Sequence, residues 1–271
     1  MSDKYELTDE TKNFRDITLH RIRALRDIPS AGVKSGDLGG WIEKEYNLRQ
    51  NGDAWIYGDA QVYGDAQVYG DAQVYGDARV YGDAQVYGDA QVYGDARVYG
   101  DARVYGDARV YGDARVFGNA QVYGDAEVCG NARVYGDARV CGHAQVCGNA
   151  EVCGNAEVCG NAGVCGDARV CGDARVCGDA WVCGDARVCG DARVCGDADY
   201  MVIKNTWSSG RWFTYTRSNQ KWAVGCFYGT GDELIAKAYK DSELSGKCYE
   251  AIVRAVETIE AAKAKAKGEM K

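Results

Sequence analysis

The sequence predicts an all-β solenoid: a rod of short strands stacked coil on coil, with a β-rich cap before it and a small α+β domain after it. Three observations carry this. A six-residue unit, Ala-x-Val-Tyr/Cys-Gly-Asp, runs 25 times without interruption between Gly52 and Ala198. The composition is far from that of an ordinary globular chain, with 36 Gly, 1 Pro and 19 Tyr in 271 residues. The beat stops abruptly on both sides, so the chain divides into residues 1–51, 52–198 and 199–271. A fixed short period marks an array in which each unit buries its apolar side against its neighbours rather than in one central core.

Residues 1–51 form the cap. "YELT" and "ITLHRIRAL" read as strands that pair across "DETKNFRD". "GVKSGDLGGWIEKEYNL" then turns the chain into the first coil and leaves Trp41 and Ile42 to cover its end. A solenoid needs such a cover, because an open end exposes apolar groups and strand edges.

Within the repeat, Ala and Val stand two apart and so point the same way from a short strand. Both are placed inside, since small Ala and β-branched Val suit a narrow, filled interior. The residue between them is Gln, Arg, Glu, Trp or Gly and faces solvent, as does the Tyr or Cys after Val. Gly-Asp makes the corner. The slot after Gly holds 19 Asp, five Asn and His143. These are the non-glycine residues most enriched at positive φ, so this slot is expected to be the left-handed one. The Gly before it is expected wherever a side chain would clash at the bend.

This pattern resembles the hexapeptide repeats of left-handed β-helix proteins, over residues 52–198. The resemblance implies a single-stranded, triangular, left-handed parallel β-helix with three units, about 18 residues, per coil. One departure is that Tyr or Cys follows the aliphatic residue, where the family commonly has Gly or an acidic residue. About eight coils at roughly 4.8 Å each make a rod on the order of 40 Å long. Residues 18 apart then stack, which lines up three outward columns: Tyr57 to Cys183, Tyr63 to Cys189 and Tyr69 to Cys195. Each changes from aromatic to thiol partway along. Stacked rings add modest stability. Arg79 and Arg97, and Arg115 and Arg133, stack as like charges, with corner Asp residues expected to compensate.

The last segment, 199–271, reads as a small α+β domain. "YMVIKNTW", "GRWFTYTR" and "KWAVGCFYG" are three strands joined by turns at "SSG" and "SNQ". "GTGDELIAKAY" is a helix opened by Asp232. "KCYEAIVRAVETIEAAKAKAK" is a longer amphipathic helix with Tyr249, Ile252, Val253, Val256 and Ile259 on one stripe and a basic, Ala-rich end expected to fray. Seven aromatic residues fall between Trp207 and Tyr228, including Phe213 and Phe227. About half are needed for a core. Trp207, Trp212, Tyr215, Trp222 and Tyr228 are the candidate binding residues, since Trp and Tyr are enriched at recognition surfaces. The flanks, with "LHRIRALRDIPSAGVKSGDLGGWIE" and "GCFYGTGDEL", resemble solenoid proteins of phages and gut bacteria labelled hexapeptide-repeat or polymer-forming.

Charge narrows the partners. Of the net −8, residues 52–197 carry 22 acids against 11 Arg, while the tail from 198 carries 9 acids and 12 bases. An acidic rod disfavours nonspecific nucleic-acid binding, which rests on phosphate neutralisation. The polar start "MSDKYELTDETKNF" lacks the apolar stretch of a signal peptide, and no run is long enough for a membrane helix. With 13 Cys this predicts a cytoplasmic chain with free thiols and no membrane partner.

Chemistry is sparse. Thiols six apart on flat faces do not converge on a four-coordinate zinc, although two in adjacent coils suit a soft ion such as Cu(I). Disulfides between coils are expected to be strained, because the side chains run parallel. Corner carboxylates invite divalent cations, but the Asn and His substitutions show that charge is not required at every corner. No metal or cofactor is expected. The resemblance also implies acyltransferases, which commonly use a histidine near a loop interrupting the coils. Here there are only His20 and His143, and no loop interrupts the array. The reading is therefore no catalytic residue and no enzyme: a structural or binding protein, a spacer presenting a terminal interaction domain to a protein partner or self-associating. The alternatives are a phage-encoded inhibitor or acidic DNA mimic acting on a host protein, and a hexapeptide-type acyltransferase.

Overall fold

The computed structural model describes residues 3–14, 16–206 and 210–269. The chain begins with an antiparallel hairpin, β1 (Tyr5–Phe14) and β2 (Ile17–Ala24), followed by β3 (Leu38–Ile42). Twenty-four strands of two to four residues follow, from β4 (Trp55–Ile56) to β27 (Arg193–Val194). The C-terminal sheet comprises β28 (Tyr200–Lys204), β29 (Trp212–Thr216), β30 (Lys221–Val224) and β31 (Phe227–Gly229). Two helices, α1 (Gly231–Asp241) and α2 (Glu243–Glu269), close the chain.

The repeat strands form three parallel sheets, and partners are 18 residues apart: Gln91 lies beside Gln73 and Arg109, Val92 beside Val74 and Val110. Every repeat Ala and Val from Ala54 to Val194, with Ile56, is fully buried. The variable residue and the Tyr/Cys column lie outward along most of the rod, as the alternation predicts, although Trp55, Gln61 and Gly163 of the variable slot are buried. Each coil donates three kinds of backbone N–H to the next. In the middle of the rod these are Gln91 to Ala108 O at 2.9 Å, Tyr93 to Val110 O at 3.0 Å and Asp77 to Gly94 O at 2.9 Å. The third kind carries the ladder through the corner, as where Asn119 N donates to Gly136 O at 2.8 Å.

The corner itself corrects the sequence reading. The left-handed residue is the Gly, not the Asp, Asn or His after it. The corner glycines from Gly52 to Gly190 have φ between +56° and +79°, whereas the one non-Gly residue with positive φ among the described residues is Gln220. Coils also approach closely there: a Cβ built on Gly76 would lie 2.9 Å from Gly94 N. Invariance at this slot therefore has two causes, conformation and contact.

At the N-terminal end β1 runs through "DETKNF" instead of stopping before it. Phe14 pairs with Ile17, so the hairpin is longer and its turn tighter than predicted, with a bulge between Leu7 and Thr11. β2 pairs antiparallel with β3, and β3 pairs parallel with the Gln61–Val62 strand. Trp41 and Ile42 are buried, and the hairpin extends one face of the rod. Trp55 departs from its outward slot class: it is fully buried, with the Tyr5 ring edge-on at 6.4 Å.

At the other end four antiparallel strands replace the predicted three, because Gly225 at φ +57° folds the last run back on itself. Helix α1 is opened by Thr230, not Asp232. The Thr230 hydroxyl accepts from Glu233 N, and the Glu233 carboxylate accepts from Thr230 N at 2.8 Å, a reciprocal cap. In α2, Tyr249, Ile252, Val253 and Val256 are buried against the sheet, but Ile259 is 44% exposed and lies off the stripe. No helix of the described chain is long and apolar enough to cross a membrane.

Candidate functional site

The C-terminal sheet is built by alternation along β29 and β30. Phe213 and Tyr215 point toward the helices and meet Trp222 and Tyr249, with ring centroids 4.7 Å apart for Phe213–Tyr249 and 5.1 Å for Tyr215–Trp222. Tyr215 and Trp222, expected at a binding surface, are therefore core residues. Trp207 lies outside the described residues. Trp212 stays half-exposed at the start of β29, with Lys204 Nζ 5.0 Å over its ring. Tyr228 is 41% exposed, and its hydroxyl accepts from Asn219 Nδ2 at 2.9 Å.

The other side of this sheet faces the rod. Arg187 N donates to Thr214 Oγ1 at 2.9 Å, and Arg193 N to Ser218 Oγ at 2.7 Å. Asn219 Nδ2 donates to Asp191 Oδ1 at 3.0 Å, and the Tyr200 hydroxyl to Trp181 O at 2.7 Å. The Arg187 guanidinium also reaches Gly225 O. Tyr228 covers Gly190 so closely that any Cβ there would collide with its hydroxyl. Thus two backbone donors of the final coil, Arg187 N and Arg193 N, are satisfied by side chains of the next domain. Beside this seam a cavity of about 200 Å³ is lined by Asp167, Asp185, Arg187, Arg211, Trp212 and Gly225.

A second region lies near the first coils, on the face continued by the hairpin. Arg79, Arg97, Arg115 and Arg133 stack in register next to the rings of Tyr63, Tyr81, Tyr99, Phe117 and Tyr135. These rings are parallel with centroids 4.9 to 5.0 Å apart. The Phe14 ring packs under the Arg79 guanidinium at 5.2 Å and bounds a groove of about 410 Å³ with Asp16, Ile17, Glu43, Tyr81 and Arg97. Among the described residues no corner carboxylate pairs with Arg79, Arg97 or Arg115. Arg133 instead pairs with Glu151 at 3.6 Å. A larger depression of about 820 Å³ sits at the first corner, between Tyr46, Arg49, Gln67 and Tyr69.

The remaining chemistry-bearing residues fall as follows. His143 Nδ1 lies 3.5 Å from Asp125 Oδ2 at an exposed corner, and His20 pairs with Thr11 and Ile42 inside the hairpin sheet. Corner Asn residues donate along their columns, as Asn155 Nδ2 does to Asp173 Oδ1 at 2.8 Å and Asn161 Nδ2 to Asp179 Oδ1 at 2.8 Å. Among the described residues no group of three or more His, Cys, Asp or Glu side chains is placed to hold a metal ion. The expectation of free thiols fails at one place: Cys165 and Cys183 are joined by a disulfide, with Cα atoms 4.7 Å apart. That Cα separation lies within the ordinary range for disulfides.

Sequence reasoning missed two further features. Lys4 is fully buried at the hairpin's start and donates from Nζ to Ala54 O at 2.8 Å. Burial pushes its pKa down to about 8. Gly163, the one Gly in the variable slot, carries the Trp181 ring above it. Its signal was present, because the two stand 18 residues apart.

Segments 72–88, 90–106, 102–116, 108–124, 126–142 and 168–184 match the family model described as the YdcK beta solenoid repeat. A comparison with curated proteins gave no match. The stacked coils and these matches agree, and the chain is a β-solenoid repeat protein.

Proposed function

We propose that this chain is a non-enzymatic structural or binding protein, a rigid spacer that presents its C-terminal domain to a protein partner. The seam between the rod and that domain supports this reading. Thr214, Ser218 and Asn219 grip the backbone and corner of the last coil, so the domain keeps one orientation on the rod. A tethered domain without such contacts would reorient freely. Of the candidate aromatic residues that the structure describes, Trp212 and Tyr228 keep exposed area at the edge of the seam and are the ones offered for recognition.

The test is a pull-down with two baits, the intact chain and one ending at Ala198. A partner caught by the intact chain alone supports presentation by the domain. A partner caught by both moves recognition to the rod or the hairpin. Neither bait retaining a partner, together with a size above the monomer in reducing buffer, would favour self-association.

One observation favours a second reading, an acidic mimic of DNA that inhibits a host protein. Asp53, Asp71, Asp89, Asp107 and Asp125 stack in one corner column, one carboxylate per coil. Competition with DNA for a host protein, lost on Asp→Asn replacement of that column, would support it. The acyltransferase reading has less to rest on, since neither His20 nor His143 lines the three cavities described above.

A further inference from the structure

The cysteine columns, from Cys129 to Cys195, occupy the half of the rod that carries the C-terminal domain. The Cys165–Cys183 bond shows that thiols one coil apart on this scaffold can join. A neighbouring face carries a second column, Cys153, Cys171 and Cys189, one residue per coil. In it Cys171 Sγ donates to Cys189 Sγ at 2.8 Å. Both residues are partly exposed. Cys189 follows the Arg187–Val188 strand, to which the terminal domain is hydrogen-bonded through Arg187 N. We propose that Cys171 and Cys189 are a modification site, forming a second disulfide rung by exchange with a low-molecular-weight disulfide, and that the two rungs staple the domain-bearing coil to the one before it.

The chemistry runs in two exchanges. The Cys189 thiolate attacks one sulfur of the small disulfide, whose S–S bond breaks and releases one thiolate. The Cys171 thiolate then attacks Sγ of Cys189 in the mixed disulfide, forms the Cys171–Cys189 bond and releases the second thiolate. Two protein thiols are oxidised by two electrons, the small disulfide is reduced to two thiols, and these take up the two protons lost. The order follows from the site. The hydrogen bond from Cys171 and the nearby Arg187 guanidinium hold the Cys189 thiol below its usual range, which favours it as the attacking group. At Cys171 the hydrogen bond with Cys153 lowers the thiol, but the hydrogen bond with Cys189 and burial outweigh it and push it up to about 11.

The test uses the fully reduced intact chain incubated with oxidised glutathione, then alkylated and mapped by mass spectrometry. The expected result is Cys171–Cys189 cross-linked alongside Cys165–Cys183, with the amides of Arg187 to Asp191 exchanging hydrogen more slowly than in the reduced chain. Cys171→Ser should arrest at a glutathione adduct on Cys189, and Cys189→Ser should give neither adduct nor rung at this pair. A persistent adduct on Cys189 in the unmutated chain, or a first rung formed elsewhere, such as Cys177–Cys195, would overturn the proposal. Re-formation of Cys165–Cys183 before the second rung is neutral as to order and part of the expected result, whereas a Cys171–Cys189 rung that leaves hydrogen exchange in the last coil unchanged would also overturn the proposal. Mapping the unmutated chain decides the matter independently of the variants.

Discussion

Gly163 lies directly beneath the ring of Trp181: a Cβ built on Gly163 would stand 2.5 Å from Cε3 of that ring. The two are strand partners one coil apart. The indole lies flat on the rod because the position below it has no side chain. Gly163→Gln should therefore lift the ring and cost about 1–3 kcal/mol through overpacking. The double variant G163Q/W181Q, which restores the slot's common residue twice, should recover most of that loss. Denaturant titration of the four proteins of this cycle measures the coupling.

Corner glycines should differ in tolerance according to what the next coil brings near them. Gly58→Ala, at φ +56° with nothing within 4 Å, should cost only the conformational penalty, about 1–2 kcal/mol. Gly76→Ala, at φ +72° with Gly94 N 2.9 Å from the new Cβ, should add about 1–3 kcal/mol as backbone shifts. Equal losses in the two variants would show that the approach of the coils does not matter.

The aromatic column should depend on rings and not on hydroxyls. Tyr99 stacks on Tyr81 and Phe117, each at 4.9 Å. Tyr99→Ala removes both stacks and should cost about 1–3 kcal/mol. Tyr99→Phe should be nearly neutral, since Phe117 already stands in the column. Thermal unfolding of the two variants tests this.

Lys4 should make stability rise with pH. Its folded pKa of about 8 lies below the ordinary 10.5, so from about pH 8 to 10.5 the unfolded chain holds more protons than the folded one. Stability therefore increases over that window as the cost of burying the charge disappears. Lys4→Met removes this dependence, although it also leaves Ala54 O without its donor. The melting temperature of the variant relative to the parent should fall between pH 7 and about pH 9.5. A difference that stays constant would show that Lys4 does not titrate there.

Much of the rod was legible because one letter pattern repeats: Ala and Val two apart, Tyr or Cys opposite, Gly at the bend. Residue statistics misdirected the corner, where Asp and Asn suggested a left-handed backbone that Gly actually supplies. The terminal domain was read less well. Trp212-Phe213-Thr214-Tyr215 alternates with period two, which places Phe213 and Tyr215 together toward the helices, yet the opposite face is also covered. Thr214 is buried because the rod lies against it. Nothing local in the sequence marks that contact, which joins residues 27 apart. The Lys4–Ala54 bond, joining residues 50 apart, is hidden for the same reason.

The 18-residue register between neighbouring coils couples length and azimuth differently. Gain or loss of three units lengthens or shortens the rod by one coil, about 4.8 Å, and leaves the end domain facing the same way relative to the hairpin. Gain or loss of a single unit instead turns that domain by a third of a revolution and shifts every column onto another face. Duplication within this gene thus works like a ratchet with two settings, one for reach and one for heading, and only whole coils preserve the heading.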